Sequence, residues 1–349
     1  MGRIVIAVVV AALLASGALV FARSAGLGSL AAAAATRVYV AISRSDDETD
    51  AREIEVIDVA TGERDLFTVA AHITALAVAR DHRTLFVGTS DGRVLLLDPL
   101  SGALFRTLTV RGPVFHLLPL ADAARLAVVT SAGLALWDVV ALREIGTLAL
   151  DGTPIGRPAS RAGEVLVPVS DAQAQMNALV VATLEPFSAS RWGVTRIVGR
   201  VPSGVPQVIV NVEGQPVFLA QFDPAIGGSR LEIGALDPRP REVVLAASTS
   251  SDGRPLRGLL QVHSSLALGR DGVVHACIGN SDVATRYRLP RGAELPERIG
   301  SECGQFVVAA DGATYLAVRG KPQLAVLSSE TGRVVRGLPL PGIAVLAAS

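Results

Sequence analysis

Gly88-Thr89-Ser90-Asp91-Gly92 satisfies the G-x-S-x-G pattern, which elsewhere puts a nucleophilic serine on a sharp strand-to-helix elbow. The flanking residues decide against that chemistry. In "TLFVGTSDGRVLLLDPLSG", residues 84–102, apolar runs stand on both sides of the motif, so strand leads to strand. Asp91-Gly92 is then the dipeptide of a tight hairpin in which both turn residues take positive φ.

The five histidines, His72, His82, His116, His263 and His275, lack the i, i+2 or i, i+4 spacing that brings two imidazoles to one metal. Asp46, Asp47, Glu48 and Asp50 crowd into "SRSDDETDARE", residues 43–53, and carboxylates suit a hard cation. The alternating ligand order and sharp glycine turn of a calcium loop are missing, so the stretch reads as a solvated hairpin tip and no metal is expected. Cys277 and Cys303 lie in neighbouring strand-like runs. They are either a disulfide, contributing about 3 kcal/mol by restricting the unfolded chain, or two buried, inert thiols.

These residues need a scaffold, and composition narrows it. Half the 349 residues are hydrophobic, 18% are charged and 4% are aromatic, so a large core is built from Val, Leu, Ile and Ala. The β-branched share favours strands. Thirty-two basic residues, all arginine except Lys321, balance 32 acidic ones. They form no basic stripe with interleaved aromatics, which excludes a nucleic-acid partner. Residues 4–22, "IVIAVVVAALLASGALVFA", are uncharged and bracketed by Arg3 and Arg23. Residues 1–23 are therefore a signal peptide or membrane anchor, 24–36 an Ala/Gly/Ser linker, and the rest of the chain is expected outside the cytoplasm.

A repeat organises residues 37–349. An Asp-x-x-x-Gly corner occurs as Asp58…Gly62 and Asp98…Gly102, with a looser "DVVAL" from Asp138, at intervals of 40 residues. Later corners fall at "TLEPF", "LDPRP", "YRLPRG" and "SSETG". A second turn precedes each corner, as at Asp81-His82, Asp122-Ala123 and Asp271-Gly272. Two turn types recurring in fixed order, with about four strands per 40–45 residues, are the signature of β-propeller blades. The first unit lacks its opening strand. "GIAVLAAS", residues 342–349, supplies it, so the expected fold is an all-β, seven-bladed propeller closed by its two termini, which removes exposed sheet edges.

The stretch from His72 to Gly102 resembles a WD40 repeat and the related YVTN, YncE-like propellers of exported bacterial proteins, and Trp137-Asp138 supplies one literal Trp-Asp pair. Ala71-His72 stands where many WD40 repeats carry Gly-His, which favours the YVTN side. The resemblance implies a monomeric ring that binds a protein or other ligand without cofactor. The alternative is a propeller enzyme, lactonase-like or quinoprotein-like, with its site at the central funnel. Quinoprotein blades carry a tryptophan after the corner, and neither Glu63–Leu66 nor Ala103–Arg106 contains one. The inner strands "ITALAVA" and "VFHLLPL" predict a mostly apolar axis, with His116 and His263 as packing residues. The insertions "SDAQAQMNA" (170–178), "FDPAIGGSR" (222–230) and "TSSDGRPLRG" (249–258) are expected to border any partner site.

Overall fold

A computed structural model describes residues 37–43, 50–150, 152–154, 156–171, 176–194, 207–210, 216–222, 228–236, 243–248, 256–257, 265–269, 272–279, 284–291, 297–301, 304–309, 314–318, 323–328, 331–340 and 345–348. The terminal hydrophobic segment, the linker, Asp46, Asp47, Glu48, His263 and Cys303 lie outside the described residues. Among the described residues no helix is long and apolar enough to cross a membrane.

The chain forms an all-β propeller whose described strands group into seven antiparallel sheets. From first strand to last, the second sheet runs Ile73–Val78, Leu85–Thr89, Arg93–Leu97, Leu104–Thr109, and the third Val114–Pro119, Arg125–Thr130, Gly133–Asp138, Arg143–Leu148. The fourth opens with two short pieces, Thr153–Pro154 and Ala159–Arg161, followed by Glu164–Asp171, Met176–Leu184 and Phe187–Val194. The fifth comprises Gln207–Val210, Pro216–Phe222, Gly228–Leu236 and Val243–Ser248, with Leu256–Arg257 paired onto its third strand. Ser265–Leu268, Val274–Gly279, Ala284–Leu289 and Glu297–Gly300 make the sixth, and Gly304–Val308, Thr314–Val318, Gln323–Leu327 and Val334–Pro339 the seventh. The first sheet is assembled from both ends of the chain. Val345–Ala348 pairs with Arg37–Ile42, Val38 opposite Ala348 and Ala41 opposite Val345, ahead of Glu53–Asp58 and Arg64–Thr68. Val345–Ala348 packs on Ile73–Val78 and that strand on Val114–Pro119, while Ala159–Arg161, Gln207–Val210, Ser265–Leu268, Gly304–Val308 and Val345–Ala348 pack in succession, which makes these the axial strands.

Because each sheet is buried on both faces, its middle strands read as unbroken apolar runs rather than alternating ones. In Leu85–Thr89, Leu85 and Val87 pack with Tyr39 and Ile54 toward the first sheet. Phe86, pointing the other way, packs with Val114 and Leu126 toward the third. Tyr315 and Leu324 meet Val40 and Ile57 in the same manner. Each fully buried side chain of this size contributes about 1.5–3 kcal/mol.

The corners are local hydrogen-bond devices. Asp58 Oδ1 accepts from the amides of Ala60 and Thr61 at 2.9 and 3.0 Å, and Asp98 Oδ1 accepts from Leu100 and Ser101 at 2.9 and 2.8 Å. The closing residues Gly62 and Gly102 sit at φ 79° and 68°, where a side chain would be strained. "DVVAL" uses the same device, with Asp138 Oδ1 accepting from Val140 and Ala141, but puts Leu142 at φ 53°.

The Asp91-Gly92 turn differs from the sequence expectation. Only Gly92 has positive φ, at 81°, and its amide returns to the Thr89 carbonyl at 3.3 Å. Ser90 lengthens the connection, so Asp91 is free to keep an ordinary negative φ.

Candidate functional site

The axial strands are irregular at one level. In Ile73–Val78, Ile73 lies opposite Thr89 and Ala75 opposite Gly88, which makes Thr74 an extra residue. In Val114–Pro119, Val114 lies opposite Thr130 and His116 opposite Val129, so Phe115 is the extra one. The fourth sheet enlarges the same feature. Pro154 faces Val169 and Ala159 faces Leu166, so the ladder breaks between them and Gly156, Arg157 and Pro158 fall in the break. Pro158 suits this break because it brings no amide hydrogen that would need a partner. It also biases Arg157 toward extended backbone. Bulges re-aim side chains, and here they aim them at the axis.

The result is a cavity of about 370 Å³ bordered by the second, third, fourth and seventh sheets. Its polar lining is Thr74, His116, Arg157 and Gln305, one from each sheet, and its apolar lining includes Leu76, Phe115 and Leu117. This corrects the expectation of an apolar axis. The inner strands are apolar toward their neighbours, but Thr74 at one bulge, His116 beside the other, Arg157 in the break of the fourth sheet and Gln305 in a regularly paired strand bring polar groups to the axis.

Arg157 crosses this space. Its Nη1 donates to the Phe306 carbonyl of the seventh sheet at 3.2 Å, and among the described residues no carboxylate pairs with it. Burial pushes its pKa downward, yet an arginine keeps its proton in proteins, so a full positive charge remains. His116 is pushed down to about 3, first by burial and then by the Arg157 charge, and is neutral at pH 7. Thr74 Oγ1 is buried without a hydrogen-bond partner.

The residues singled out from sequence are dispersed elsewhere. His72 Nδ1 meets Asp50 Oδ1 at 2.8 Å, and its Nε2 lies 2.7 Å from Arg52 Nη2, at the rim. His82 occupies a turn at φ 59°. His275 is 1% exposed in the sixth sheet, its ring 5.9 Å from that of Phe306, and burial followed by the charges of Arg286 and Arg288 pushes it to about 4. In the G-x-S-x-G segment, Thr89 Oγ1 donates to Asp91 at 2.6 Å and Arg93 Nε donates at 2.8 Å, and the Arg93 bond holds the Asp91 carboxyl below its usual range. Cys277 is fully buried, with the Gly304 amide 3.1 Å from its Sγ.

Thr74, Arg157 and Gln305 were not legible as site residues. The available signal was Gly156-Arg157-Pro158, a strand-breaking triplet where the repeat calls for an axial strand.

The antiparallel order fixes which end of the ring this site faces. Axial strands enter at the end where second and third strands connect, and Thr74, His116 and Gln305 sit early in theirs. Asp171 pairs with Met176 and Phe222 with Gly228 at that same end, so these strand ends lie at the face nearest the cavity.

No family model matches the chain, and no curated protein matches it. Solved structures do. A functionally unknown protein from Desulfotomaculum acetoxidans shares 11% identity with a TM-score of 0.64, covering 90% of this chain and 98% of that one. The RRP9 WD40 repeats share 14% identity at a TM-score of 0.58, with 81% and 84% covered. A putative 6-phosphogluconolactonase from Bacteroides fragilis shares 11% identity at 0.58, with 89% and 96% covered. These likenesses show the propeller fold, and the proteins that share it differ in role.

Proposed function

We propose that the chain is an exported, non-enzymatic binding propeller, a seven-bladed ring of the YVTN type held by or released from residues 1–23 on the outer side of a membrane. It takes up a ligand at the axial cavity, and a partner protein meets the face bearing the insertions at 170–178, 222–230 and 249–258. The observation that carries this reading is the cavity itself, a space of about 370 Å³ whose polar groups come from four separate sheets. A concave space that combines apolar walls with a few convergent polar groups is the usual form of a ligand site. The state of His116 supports binding rather than turnover: an imidazole with a pKa of about 3 is a weak proton acceptor at neutral pH, far from the range useful for general-base catalysis.

The test is crosslinking in the native cells, then purification of the tagged full-length chain and mass spectrometry of attached proteins and small molecules. A reproducible partner or ligand is expected. A chain that emerges alone and without bound small molecules would remove the binding reading. Fusing residues 1–36 to a reporter enzyme that folds only after export tests the compartment, and an inactive reporter overturns that part.

A further inference from the structure

We propose that the axial cavity binds a small organic monocarboxylate, its carboxylate meeting the Arg157 fork and its apolar body lying against Leu76, Phe115 and Leu117. This rests on the binding reading above and assigns the ligand a chemical class.

Three observations support it. Arg157 presents a planar guanidinium with five N–H donors, of which the structure engages one, on the Phe306 carbonyl. A buried charge without a counter-charge is costly, and a bound carboxylate would satisfy it in the bidentate geometry that suits arginine. Thr74 Oγ1, buried and unpartnered on the same cavity, supplies a second donor.

Charge fixes the valence. With His116 neutral and Gln305 uncharged, the described lining residues sum to a single positive charge, which matches a monoanion and leaves a phosphate dianion half compensated. Size and lining exclude a bare inorganic ion as the natural fit, because a volume of about 370 Å³ with leucine and phenylalanine walls requires a hydrocarbon portion.

The experiment is calorimetric titration of the full-length chain at pH 7 with matched acids and amides: acetate, hexanoate and benzoate against acetamide, hexanamide and benzamide, with inorganic phosphate as a further titrant. At least one acid is expected to bind ten times more tightly than its amide. R157Q brings the two within twofold of each other, R157K restores part of the preference, and T74V weakens the acid severalfold. Circular dichroism and melting confirm that the variants fold. Equal binding of acid and amide overturns the proposal while leaving the cavity a binding site. Silence for all three acids, preference for phosphate, or acid binding unchanged in R157Q also overturns it. None of these results depends on whether a partner copurifies, so the two proposals fail separately.

Discussion

The Arg157 guanidinium, carried by the fourth sheet, reaches the Phe306 carbonyl of the seventh at 3.2 Å, joining two blades separated by 149 residues across the axis of the ring. His116, on the same cavity, belongs to a third blade and is held neutral partly by that same charge. The axis is thus a coupled polar unit inside an otherwise aliphatic molecule.

An uncompensated buried cation is a stability cost retained for another reason, and its removal should show this. R157M is expected to raise the stability of the unliganded chain by about 1–2 kcal/mol, since apolar replacement of a buried charge is commonly stabilising. Urea unfolding at pH 7 measures it. A loss of more than about 2 kcal/mol would instead make the guanidinium a structural strut whose bond to Phe306 dominates. In R157M the His116 titration, followed by NMR of the imidazole protons, should also move upward because one of its two depressing influences is gone.

Acid should unfold this protein through its histidines. His116 and His275 are depressed to about 3 and about 4 in the fold, against 6.5 for a free imidazole. Between those values the unfolded chain binds more protons than the folded one, so stability falls as pH drops below about 6.5 and the loss levels off once the folded-state values are passed. At pH 4 each group withdraws on the order of 3 kcal/mol. Urea midpoints from pH 7 to 4 should fall steeply, and H275L or H116L should each flatten that fall. A wild-type midpoint constant over this range would contradict the burial argument.

The propeller was legible because its signals are local. The Asp58, Asp98 and Asp138 corners each close through hydrogen bonds to residues two and three positions on, so the same short phrase marks the same turn in each of the first three blades. The axial site is non-local. Thr74 becomes a cavity residue only because two residues of its strand face one on the next, and that count is visible in the pairing and not in "ITALAVA". Arg157 was hidden differently, as one arginine among 31 in a chain where the type is common on the surface. The φ of Asp91 is non-local for a related reason, since the length of its turn depends on where the flanking strands stop pairing.

Leu142 marks a position where the repeat is imperfect. It holds φ 53° at the place where Gly62 and Gly102 stand in the preceding corners, a conformation that costs a side chain roughly 1 kcal/mol. L142G should therefore stabilise the chain by about 0.5–1 kcal/mol despite the greater freedom it gives the unfolded state. The converse substitution is more severe. A Cβ at Gly102 would stand 2.5 Å from the Phe67 ring of the neighbouring blade, so G102A should cost about 2 kcal/mol or more through strain and overpacking together. Paired thermal melts check both, and a stabilising G102A would refute the packing argument.

Cys277 is fully buried on the second strand of the sixth sheet, and the amide beside its Sγ at 3.1 Å belongs to Gly304, the residue that follows Cys303 in the chain. That placement brings the backbone next to Cys303 against the Cys277 sulfur, as a bridge between the sixth and seventh blades would require. The expected state under oxidising conditions is a Cys277–Cys303 disulfide. Alkylating the unfolded chain without reductant should add no label, and alkylating after reduction should add two, read by intact mass. Two labels without reductant would remove the bridge. For a closed loop of this length, C277S/C303S should lower stability by about 3 kcal/mol when the bridge is present, and by far less when it is absent.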